Sequence, residues 1–99
     1  MDDNKIAEMF LKLEMDDLKD ASMLADYAKK LHEAGESTMA SYMSNRAMSR
    51  LSHVDEAKQH IHNVMARSGV SMSQNMYEEI LEQYVREETE RIKHCLETM

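Results

Sequence analysis

Ninety-nine residues with no proline, two glycines, 42% apolar and 31% charged side chains describe a single ordered domain, too short for two cores. The formal charge of -7, with no run among the twelve Lys and Arg, argues against nucleic acid and anionic membrane as partners. MDDNKIAEMF has no signal-peptide character, no stretch nears the roughly 20 apolar residues a bilayer needs, and Cys95 has no internal disulfide partner, so a cytoplasmic setting is expected.

The elements are read from the two glycines. Asp2 or Asp3 caps a first helix of about 3–34, and Gly35 takes the left-handed position that ends it. Ser37 caps a second helix of about 37–68, stopped by Gly69, and Ser71 with Gln74 forms a capping box for a third of about 72–97. The expected fold is therefore all-α, an antiparallel three-helix bundle running up-down-up with short loops, and as a dimer it would complete a larger bundle. Eleven methionines supply much of the bulk, with one phenylalanine and no tryptophan, so the core is expected to be thin and self-association favoured.

An advance of 100° per residue places Ile6, Phe10, Leu13, Leu24, Ala28 and Leu31 on one stripe of the first helix, with Asp17 in its middle. The second stripe is Met39, Met43, Ala47, Leu51, Val54, Ile61 and Met65, with Arg50 near its centre; the third is Tyr77, Leu81, Tyr84, Val85, Ile92 and Cys95, interrupted by Glu88. Equal rise on antiparallel rods sets Asp17, Arg50 and Glu88 level, with Asp20 near enough to join. The pattern predicts a buried charged layer in which the flat guanidinium of Arg50 satisfies two carboxylates and fixes register.

Asp17, followed by Arg50-Leu-Ser-His53 on the next helix, resembles the register of ferritin-like and rubrerythrin-like proteins, with Glu14 as a further carboxylate. The resemblance implies a helical hairpin holding two irons between a carboxylate on one helix and Glu-x-x-His on the next. Arg50 stands where the bridging glutamate should be, and Arg91-Ile-Lys-His94 has the same replacement, so the ligand set is degenerate and a salt bridge replaces the metal centre. A separate candidate for iron or zinc is His53, Glu56 and His60, which share one stripe at spacings of three and four residues.

No nucleophile with a base arranged around it, phosphate loop or paired-cysteine motif is present, so no enzyme activity and no resident cofactor are expected. Met15, Met23, Met48, Met72 and Met76 fall off the main stripes and form a candidate soft contact surface. The functional expectation is a small non-catalytic interaction or regulatory protein that binds another protein, a second copy of itself included. The alternatives are a ferritin-like metal-binding protein with a reduced or relocated site, and an acidic inhibitor that mimics nucleic acid.

Overall fold

The computed structural model describes residues 2–68 and 72–99, the stretch 72–79 by its backbone alone. It contains three helices, α1 (Asp3–Glu33), α2 (Ser37–Ser68) and α3 (Met72–Glu97), and no strand among the described residues. None of these helices is long and apolar enough to cross a membrane. The expected Gly69 stop and Ser71–Gln74 capping box lie outside the described residues.

Local chemistry explains the helix ends. Asp2 is extended and its carboxylate accepts from the Lys5 backbone N–H at 2.9 Å, satisfying one donor of the first turn. At the other end Gly35 adopts φ +80, its N–H donates to the His32 carbonyl at 3.0 Å, and the Glu36 N–H donates to the Leu31 carbonyl at 2.9 Å. This is a Schellman closure, and it leaves Glu36 to begin the next helix: its carbonyl accepts from the Ala40 N–H at 2.9 Å. Ser37 is thus the first helical residue of α2 and not its cap, because Glu36 already holds the cap position through its carbonyl.

The packing seam is built of alanine. Among the described residues six of the fourteen buried apolar side chains are alanines, with Ala21, Ala25 and Ala28 on α1 and Ala40, Ala47 and Ala57 on α2, so the two rods can approach closely. Each alanine removes little apolar area, and larger contributions of about 1.5–3 kcal/mol apiece come from Leu18, Leu24, Leu51, Val54 and Ile92. No methionine is buried among the described residues; Met15 and Met43 only flank the core. The expectation that methionine supplies much of the bulk of the core is therefore corrected. Small side chains make the core thin, and the methionines lie at its margin.

Contacts follow a regular ladder between α1 and α2. Asp3 meets Arg67, the Phe10 ring stacks on His60 at 4.7 Å, and Asp17 meets Arg50, so partners on α2 descend as α1 ascends. α3 lies against α1 and scarcely touches α2. Its side chains Tyr84 and Glu88 stand beside Met15, Leu18, Lys19 and Ser22, and Arg91 donates to the Ser22 hydroxyl at 2.7 Å. α1 is consequently the middle rod, with α2 and α3 on two different flanks. The molecule measures 51 × 23 × 14 Å, and its radius of gyration of 15.8 Å exceeds the roughly 13 Å of a compact chain this long.

The placement of α3 rotates the buried arc of α1. Leu18, Ala21, Ala25 and Ala28 are its centre, because it must serve two neighbours, and Leu13 is 52% exposed although the stripe expected it inside. Met39 is likewise exposed at 57%, with Ala40 beside it taking the buried position. Tyr84 is also outside, while Val85 and Ile92 carry the α3 contact.

Candidate interaction face

Arg50 Nη1 donates to Asp17 Oδ1 at 3.3 Å, joining α1 to α2 at the level expected. Neither partner is buried: the Arg50 side chain is 37% exposed and that of Asp17 18%. Asp20 is half-buried without a hydrogen bond to Arg50. Glu88 binds Arg91 instead, at 2.6 and 3.0 Å on its own helix. The expected layer of Asp17, Asp20, Arg50 and Glu88 is thus a half-buried pair on one side of α1 and a separate pair on the other. The reason is angular: Asp17 and Ser22 are five residues apart, about 140° around the helix at 100° per residue, and Glu88 follows Ser22.

The side of the α1–α2 seam away from α3 has its own pattern. On α1 the positions Leu13, Asp20 and Tyr27 repeat every seven residues, and on α2 so do Met39, Arg46 and His53. A seven-residue row stays on one helix face, drifting by only about 20° per repeat. Asp20 is about 160° around α1 from Ser22, and Arg46 about 160° around α2 from His62, the residue that contacts Glu82 of α3. Both rows therefore lie away from α3. Leu13 is 52% exposed, Tyr27 45%, Met39 57% and the neighbouring Tyr42 57%, so large apolar side chains flank the Asp17–Arg50 pair at both ends. Arg46 donates to the Tyr42 hydroxyl at 3.2 Å and lies over its ring, which holds the charge at the surface.

The other sequence candidates separate. His53, Glu56 and His60 are all exposed, and His60 is occupied in its stack with Phe10. No group of three or more His, Cys, Asp or Glu able to hold a metal ion occurs among the described residues, because spacing along one helix aligns these side chains without converging them. Of the methionines, Met15 packs against the core, Met23 lies with Tyr84 and Glu88 beside a shallow groove between α1 and α3, and Met48 is on the α3 side of α2. Met15 and Met23 thus line the same groove. The side chains of Met72 and Met76 lie outside the described residues.

One residue that the stripes passed over is the most buried charged side chain among the described residues. Glu14 is only 3% exposed, and burial pushes its carboxyl from 4.5 up to about 6. Lys58 and His62 oppose the shift, while Glu82 and Asp55 add to it. It has no hydrogen-bond partner among the described residues. The seven-residue relation of Glu14 to Ala21 and Ala28 could have found it, since both alanines are in the seam. No protein-family model, curated protein or solved structure matches this chain, so the functional reading rests on this geometry.

Proposed function

We propose that this chain acts by binding protein, without chemistry of its own, and that the working surface is the α1–α2 face away from α3. In this reading the three rods run antiparallel, up-down-up, with α1 in the middle, and the exposed face awaits the element that would complete a bundle. The observation that carries it is the exposure of Leu13, Tyr27, Met39 and Tyr42 around a half-buried ion pair. Large apolar side chains gathered on one exposed helix face, with polar and charged groups beside them, are what a protein interaction site presents.

A photo-crosslinking side chain introduced in place of Leu13 or Tyr42, with Glu87 on the exposed surface of α3 as the control position, tests this in cells. Discrete protein adducts from positions 13 and 42 but not from 87 support the reading. Absence of adducts from all three positions would remove it.

A further inference from the structure

We infer that the occupant of this face is a second copy of the chain, related by a two-fold axis parallel to the helices, so that α1 of each copy lies against α2 of the other. The inference rests on the protein-binding reading above and names its partner. Three observations point to self-association.

The first is register. Asp17 and Arg50 are level across the seam, and stepping from that pair places Leu13 level with His53, Asp20 with Arg46, and Tyr27 with Met39. A two-fold axis parallel to the rods leaves every level unchanged while exchanging left and right. It therefore sets Asp20 of one copy opposite Arg46 of the other, and Tyr27 opposite Met39, twice over.

The second is charge. At the middle of the face α1 carries Asp16, Asp17 and Asp20, whereas α2 carries Arg46, Arg50 and His53. A face with acid on one rod and base on the other is complementary to itself when α1 meets α2. The alternative two-fold axis, across the rods, would set α1 on α1 and bring acid against acid. An acidic partner or a basic one would satisfy only half of the face.

The third is area. The chain exposes 6754 Å², whereas a compact monomer of 11.5 kDa exposes on the order of 5,800 Å². The excess over the whole chain, part of which comes from the sparse packing of α3 on α2, is of the size of the roughly 800 Å² that each partner contributes to a standard interface.

The test is sedimentation velocity on the full chain, with two single variants and their mixture, each checked for unchanged helicity by circular dichroism. Wild type should sediment as a dimer at micromolar concentration. Asp20→Lys alone sets base against base twice in the homodimer, and Arg46→Glu alone sets acid against acid twice. Each should weaken dimerisation by about tenfold or more. An equimolar mixture of the two variants restores both opposite-charge pairs, and its dimer should return. A monomeric wild type, unaffected variants, or a mixture that stays monomeric would each overturn the inference. Crosslinks from position 13 to an unlike protein, together with a monomeric wild type, would overturn the second copy while leaving the protein-binding reading intact.

Discussion

Arg50 reaches Asp17 across the α1–α2 seam at 3.3 Å, and Glu88, although on the centre of the α3 stripe, is held by Arg91 on the far side of α1. Two ion pairs that periodicity would merge are separated by the body of the middle helix. Arg50→Ala should therefore lower stability by only about 0.5–1.5 kcal/mol, the range for a partly screened ion pair and hydrogen bond. Arg50→Met, which preserves volume beside Asp17, should cost less. Urea denaturation reads both, and an unchanged midpoint for Arg50→Ala would show that the pair contributes nothing. A double-mutant cycle should find coupling between residues 17 and 50 and essentially none between 50 and 88.

Glu14 gives a pH dependence of definite sign. Its folded carboxyl titrates near 6, above the 4.5 of the free group, so the folded state holds this proton more tightly than the unfolded one. The ionised form is therefore a destabilising charge, fully so above about 6, and the penalty fades as pH falls towards 4.5. Glu14→Gln should be more stable than wild type at pH 8, with the advantage shrinking between those values. Paired urea titrations across that range would expose an opposite or absent trend.

The alanine seam makes the third expectation. Ala47 and Ala21 are fully buried, so Ala47→Leu or Ala21→Leu must force the rods apart, at about 1–3 kcal/mol. Met23→Ser and Met48→Ser, at exposed positions, should stay within about 0.5 kcal/mol of wild type. Comparable losses from both classes would place methionine in the core after all.

Gly35 could be read as a helix end because a left-handed residue is needed there and glycine supplies it without strain; nothing lies within 4 Å of where a Cβ would stand. The Asp17–Arg50 level followed from equal rise on two rods joined by a short turn. Glu88 did not follow, since periodicity gives the face of α3 that is buried but not the flank of α1 on which it docks. Leu13 was misplaced for the same reason: two neighbours on separate flanks shift the buried arc towards Leu18 and Ala21. Glu14 enters the sequence reading only as a further carboxylate of the ferritin-like register and is absent from the apolar stripe, because hydropathy reads a carboxylate as outward; its seven-residue relation to the alanines marks it as inside.

The last expectation concerns metal. At the position where the ferritin-like register would need a bridging glutamate, the Arg50 guanidinium lies against Asp17, supplying positive charge and occupying the carboxylate that iron would require. His53 and Glu56 face solvent, and His60 would have to leave Phe10 to turn towards them. Protein purified without a tag or chelator should therefore contain no stoichiometric iron or zinc. His60→Ala should act on stability instead, lowering it by about 0.5–1.5 kcal/mol through loss of the ring stack. Metal analysis and denaturation of the same preparations decide the matter. About two irons per dimer, on the di-iron pattern, lost with Asp17→Ala but retained with His60→Ala, would make the ferritin-like register functional and the salt bridge an apo arrangement.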